Sequence, residues 1–148
     1  MRLLAEEQSI GNDEIIKVFV YQPARLAENF IAYPPQTSVD TASSLKYLVA
    51  VYLLTRKIGV DWYENYDNFL KREDFQKIAD KVEIIKDLDL QKIFDEENII
   101  RGKVIILTSS KKYEKELNLE DLKGNPRNNP LSYQEITNKF TALSEPVI

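Results

Sequence analysis

Thr37, Asp40, Ser44 and Tyr47 follow one another at spacings of 3, 4 and 3. In a helix that spacing puts all four on one face, because the repeat is about 3.6 residues. Close to a helix N-terminus, hydroxyls on such a face can donate to a substrate carboxylate, and the helix dipole favours the anion. Asp40 works against an anion at the same place. A structural reading of these residues stands beside the chemical one: Thr37 and Asp40 cap the helix, Ser44 bonds back to the backbone, and Tyr47 packs. Carboxylates recur at Asp87-Leu88-Asp89 and at Asp95-Glu96-Glu97. Neither run has calcium-loop spacing, so both are read as solvated surface and no metal is assigned.

Absences narrow the chemistry further. The chain has no histidine and no cysteine, which removes the commonest general base, thiol nucleophiles, the Ser-His-Asp triad and nearly all zinc and iron-sulfur ligand sets. Four glycines, at 11, 59, 102 and 124, are too few and too far apart for a phosphate-cradling loop. No cofactor is expected, and any reaction would have to run on Tyr, Lys, Asp, Glu or Ser. A net charge of −4 and a pI near 5.0 argue against nucleic-acid binding, which needs a basic face. Met1-Arg2-Leu3-Leu4 leads straight into Glu6-Glu7 with no secretory h-region. The apolar run Tyr47 to Leu54 is far short of the ~20 residues needed to span a bilayer. The expectation is a cytoplasmic protein without membrane association, 43% hydrophobic and 30% charged, which is ordinary for a globular chain.

The elements that must position these residues follow from periodicity. Residues 14 to 21 read as a strand with Ile16, Val18 and Val20 on one face, and Pro23 to Phe30 as a short helix that ends before Tyr33-Pro34-Pro35. Residues 38 to 57 read as one long helix with two apolar stripes: Leu45, Leu48, Val49 and Tyr52 on one, and Tyr47, Ala50, Val51 and Leu54 on the other. Two shorter helices are expected at 60 to 70 and 73 to 80, with Trp62, Tyr66 and Phe69 as a packing stripe. Strands are expected at 81 to 86, 102 to 108 and 113 to 117, with a short helix around 90 to 96. After a Pro/Asn-rich loop, Ser132 and Glu135 form a capping box that opens a last helix with Tyr133, Ile136, Phe140 and Leu143 on one stripe. These elements predict a single α+β domain over 1–148, with a mostly antiparallel four-stranded sheet and helices packed on one face.

Two segments then resemble a known family. Pro35-Gln36-Thr37-Ser38-Val39-Asp40-Thr41-Ala42-Ser43-Ser44-Leu45-Lys46-Tyr47-Leu48-Val49-Ala50 is similar to the P-x-T-x-x-[DE]-A-x-x-S-x-x-Y-x-x-A pattern of the MmgE/PrpD (2-methylcitrate dehydratase) family. Gly124-Asn125-Pro126-Arg127-Asn128-Asn129-Pro130-Leu131-Ser132, with Glu135-Ile136 and Lys139-Phe140 after it, resembles that family's Gly-Pro-Asn-rich loop, P-L-S helix start and closing K-F. Ile78 to Asp87 looks like the strand between them. The two anchors stand in the family's order, about 90 residues apart. Thr41, Ser43 and Lys46 depart from the family's usual alanine, aromatic and proline, and the final loop is one residue longer.

The resemblance implies the C-terminal, lid-type domain of a cofactor-independent hydro-lyase acting on a small di- or tricarboxylate. It makes Tyr47 the catalytic residue, facing the cleft; Thr37 and Ser44, from their place on the same helix face, are the expected substrate-binding hydroxyls. The family's N-terminal helical domain, with its histidines and lysines, has no counterpart in these residues. The chain alone is therefore expected to be inactive and to need a helical partner chain. The alternative is a non-catalytic binding or scaffold domain that keeps the lid fold. A homo-oligomer is expected as well, since the stripe of Tyr47, Ala50, Val51 and Leu54 would need a second surface to cover it.

Overall fold

The computed structural model describes residues 8–57 and 61–144. Strand β1 (Ile15–Pro23) runs into helix α1 (Ala24–Glu28). After a 3-10 turn at Val39–Ser43 comes α2 (Leu45–Thr55), followed by α3 (Asp61–Glu64), α4 (Tyr66–Lys71) and α5 (Glu73–Ala79). Strand β2 (Val82–Asp87) leads directly into α6 (Leu88–Glu97), then come the β3 (Arg101–Thr108) and β4 (Lys112–Asn118) hairpin and, at the end, α7 (Tyr133–Ser144). The sheet order is β2-β1-β3-β4. β1 and β2 are parallel, with Val18 opposite Val82, and the other two pairings are antiparallel. The architecture is the α+β fold expected from the pattern, with strands within two residues of their predicted ends.

β1 departs from the expected pattern at one point. The alternation predicts Ile16 on one face with Val18 and Val20, yet Ile16 is 57% exposed, whereas Ile15 is buried. The register against β3 shifts between Ile15 and Lys17. A bulge there puts two residues on the same side in succession and reverses the alternation before it, so Ile15 takes the core position. Beyond the bulge the alternation holds. Val18, Val20, Val82 and Ile106 are buried together on one face, each contributing roughly 1.5 to 3 kcal/mol of apolar burial.

Against that face lies α2, which is buried almost all the way round: Tyr47, Ala50 and Leu53 are at most 1% exposed, and Val49, Val51 and Tyr52 are also buried. A helix this apolar needs cover on more than one side. Packing on β2 supplies part of it and packing on α5 supplies the rest, with Phe75, Ile78 and Ala79 buried from the α5 side. The stripe of Tyr47, Ala50, Val51 and Leu54 is thus covered by the chain's own helices, so it gives no reason to expect an oligomer.

Two carboxylates do structural work. Asp87 caps α6, its side chain accepting from the Asp89 and Leu90 amides at 2.9 Å each, and Asn98 closes the helix in the left-handed region at φ 55. Losing an N-cap carboxylate costs about 0.5 to 2 kcal/mol. Asp87→Ala is expected to lower the unfolding free energy by that amount and the denaturation midpoint with it; an unchanged midpoint would show that the cap contributes nothing.

The Ser132 capping box forms as expected. Glu135 accepts from the Ser132 amide and hydroxyl at 2.8 Å each, and the Glu135 amide donates to Ser132 Oγ at 3.2 Å. These bonds, with Lys123 at 3.1 Å, hold the Glu135 carboxyl down to about 2. Because that value lies below the unfolded one, near 4.3, the unfolded state binds more protons between the two. The cap's contribution is therefore complete above about pH 4.3 and is lost as pH falls toward 2. Helicity of residues 133 to 144, followed by amide exchange, is expected to fall through that window in the native chain and to be flat there in Glu135→Gln.

Candidate functional site

The lead-in to α2 is held by local bonds. The Thr37 and Gln36 amides donate to Asp40 Oδ2 at 2.9 and 3.2 Å, and the Asp40 amide donates to Thr37 Oγ1 at 3.3 Å. This is the reciprocal capping pattern expected of Thr37 and Asp40, but what it opens is a 3-10 turn rather than a long helix. Ser44, at φ −107 and ψ 89, is not helical, and α2 starts only at Leu45. The cause lies in Ser44 itself, whose hydroxyl donates to the Ala32 carbonyl at 2.5 Å. A short hydroxyl side chain that finds a partner off the helix competes with helix propagation.

The break separates the four polar residues. Thr37 lies on the exposed surface with its hydroxyl turned to the Asp40 amide. Ser44 is wholly buried beneath the 30 to 33 segment, where the Leu45 amide also donates to the Phe30 carbonyl at 3.0 Å. Tyr47, also wholly buried, donates its hydroxyl to the Trp62 carbonyl at 2.6 Å. Its ring lies 5.5 Å from that of Phe75 and 6.5 Å, edge-on, from that of Phe69. Burial pushes the Tyr47 phenol well above the ordinary tyrosine range, so it is a neutral donor at any physiological pH. Thr37, Ser44 and Tyr47 therefore do not converge on one cleft in this conformation.

A second tyrosine stands close by. Tyr33 donates its hydroxyl to Gln76 Oε1 at 3.1 Å, and the Lys46 ammonium lies 4.8 Å from the centre of its ring. Burial, and then the charge of Asp80, raise its phenol, while the Gln76 bond acts the other way. Nothing in the spacing of Tyr33 pointed to this group, because Gln76 is 43 residues away along the chain. Among the described residues no cluster of three or more His, Cys, Asp or Glu is placed to hold a metal ion, and no helix is long and apolar enough to cross a membrane.

The other anchor, the 124 to 130 loop, is ordered by its asparagines. Gly124, at φ 102, is in a conformation that disfavours a Cβ, and its amide donates to the Asn129 carbonyl at 2.7 Å. Asn125 Oδ1 accepts from the amides of Arg127 and Asn128, and Asn129 Nδ2 donates to the Asp121 carbonyl at 3.0 Å. The Asn and Gly positions of the motif are thus what the turn requires physically.

The sequence model of the MmgE/PrpD C-terminal domain matches residues 2–148. The chain belongs to the MmgE/PrpD family. The match runs over both anchors and everything between them, so the ordered lead-in to α2 and the asparagine-locked loop are parts of an MmgE/PrpD C-terminal domain. No curated protein matches the chain in sequence.

Proposed function

We propose that this MmgE/PrpD C-terminal domain serves as the lid of a cofactor-independent hydro-lyase of the 2-methylcitrate dehydratase type, acting on a small di- or tricarboxylate. The match to the family's C-terminal domain over residues 2–148 carries this reading. In it, a helical domain brings the histidine and lysine side chains, and this chain contributes hydroxyls from the lead-in to α2. Elimination of water beside a carboxylate needs a base tuned near the working pH, and a chain without histidine or cysteine lacks the residue type that most often supplies one.

Tyr47 is the catalytic residue of this proposal, with Thr37 and Ser44 as substrate-binding hydroxyls. Because the Tyr47 and Ser44 hydroxyls are bonded to the carbonyls of Trp62 and Ala32, the reading requires docking of the helical domain to shift α3 and the 30 to 33 segment. A second reading takes those same two bonds as permanent: a non-catalytic binding domain that keeps the lid fold and uses Tyr47 and Ser44 only for packing. The chain alone is expected to leave 2-methylcitrate and citrate unchanged under either reading. Turnover by the purified chain that survives repurification and is lost on denaturation would overturn both. Tyr47→Phe in the complex with a helical domain separates the two readings, since only the lid reading predicts a loss of activity.

A further inference from the structure

Lys46 stands between Ser44 and Tyr47, two of the residues the lid reading uses, and is the only lysine or arginine between Arg25 and Arg56. It lies in the first turn of α2, where the helix dipole disfavours a cation. The side chain is half-buried, and its ammonium rests 4.8 Å from the centre of the Tyr33 ring. Among the described residues no carboxylate pairs with it, because both acids of the same stretch are engaged elsewhere. Glu28 accepts from Lys86 at 3.1 Å, and Asp40 Oδ2 accepts from the Gln36 and Thr37 amides. Nor is the ring contact needed to hold the 30 to 33 segment, which hydrogen bonds already fix. The Phe30 carbonyl accepts from the Leu45 amide at 3.0 Å, the Ala32 carbonyl accepts from Ser44, and Tyr33 donates to Gln76 at 3.1 Å.

Resting on the lid reading, we propose that Lys46 is a substrate-binding residue of the domain. Its ammonium leaves the Tyr33 ring and pairs with a second carboxylate of the substrate, one that takes no part in the elimination. A di- or tricarboxylate carries such a group, and enclosing it away from water needs a charged partner. Thr37 and Ser44 offer neutral hydroxyls, and Asp40 has the wrong sign. Lys46 is the one residue of the stretch from 26 to 55 that brings positive charge. The movement that the lid reading requires acts on Lys46 as well: a shift of the 30 to 33 segment that frees Ser44 from Ala32 also carries the Tyr33 ring off the ammonium. A cation held by an aromatic face is bound more weakly than one paired with a carboxylate in a closed site, so an anion arriving there displaces the ring.

Titration of the full chain with citrate at constant ionic strength, followed by the resonances of Lys46 and the Tyr33 ring, tests this without turnover. The native chain is compared with Lys46→Gln and Lys46→Arg, and thermal unfolding verifies that both fold. The expected result is a saturable shift at Lys46 and at Tyr33. Its dissociation constant rises at least ~10-fold in Lys46→Gln, as for a lost bond between charged groups, and returns toward the native value in Lys46→Arg. No shift at Lys46 overturns the proposal, and so does a shift at Tyr33 that persists in Lys46→Gln. The native titration decides alone should Lys46→Gln unfold. Kinetics of the pair with a helical domain separate the role of Lys46 from the reading beneath it. There Lys46→Gln is expected to raise KM for 2-methylcitrate at least ~10-fold and to leave kcat within about 3-fold, the pattern of lost uniform binding. An active pair with unchanged KM overturns the role of Lys46 and leaves the lid reading standing. An inactive pair whose chain still binds citrate through Lys46 overturns the lid reading and leaves Lys46 a carboxylate site.

Discussion

Replacing Tyr47 with alanine is expected to remove most of the domain's stability. The side chain has no exposure, packs on Phe75 and Phe69 and satisfies the Trp62 carbonyl. Truncating a buried aromatic to alanine costs about 3 to 5 kcal/mol, and losing the part-buried bond to the Trp62 carbonyl adds about 0.5 to 1.5. Against a total of roughly 5 to 15 kcal/mol for an ordinary domain, that sum leaves the fold marginal or lost. Denaturant unfolding followed by circular dichroism measures it, and a native-like midpoint in Tyr47→Ala would mean the aromatic cluster does not hold α2 to α3, α4 and α5. Tyr47→Phe keeps the ring and loses only the hydroxyl. It is expected to fold, at a cost of about 0.5 to 1.5 kcal/mol. In the complex with a helical domain the lid reading adds a second effect: a hydrogen bond to a charged substrate group is worth about 1.5 to 3 kcal/mol, so turnover is expected to fall on the order of 10- to 100-fold. Loss of stability without loss of turnover would assign Tyr47 to packing alone.

What the sequence revealed and what it hid divide along the distance between interacting residues. The strands, the Ser132–Glu135 box and the Thr37–Asp40 pair were legible because alternation and i, i+3 capping are local. Ile16 was misplaced because a bulge is set by the partner strand, here β3, and not by the run of β1 itself. The helix expected over 38 to 57 was broken at Ser44 by a partner 12 residues earlier, the Ala32 carbonyl, and no helical periodicity records such a bond. The expected pair of helices between 60 and 80 became α3, α4 and α5, with Arg72 extended between the last two and its guanidinium paired to Asp74. Cover for the second stripe of α2 came from α5, more than 20 residues downstream; the stripe was visible in sequence, and its partner was not. The parallel pairing of β1 and β2 was equally invisible, since register between distant strands is not written in either one.

For the site, residue types pointed to hydroxyl donors near a helix start, and the family pattern singled out Tyr47. The positions of those hydroxyls depended on contacts that only the fold supplies: Trp62 for Tyr47, Ala32 for Ser44 and Asp40 for Thr37. The surroundings of Tyr33, with Lys46 over its ring and Gln76 at its hydroxyl, are invisible in sequence for the same reason.

Under the proposed lid function, this domain contributes nothing catalytic until a helical domain is present. Turnover of 2-methylcitrate by the chain mixed with, or fused to, a helical domain of the family tests it most directly, with each half assayed alone at the same concentration. The expected result is dehydration by the pair and none by either half. Dehydration by this chain alone, or a stable complex that leaves 2-methylcitrate and citrate untouched, would contradict it.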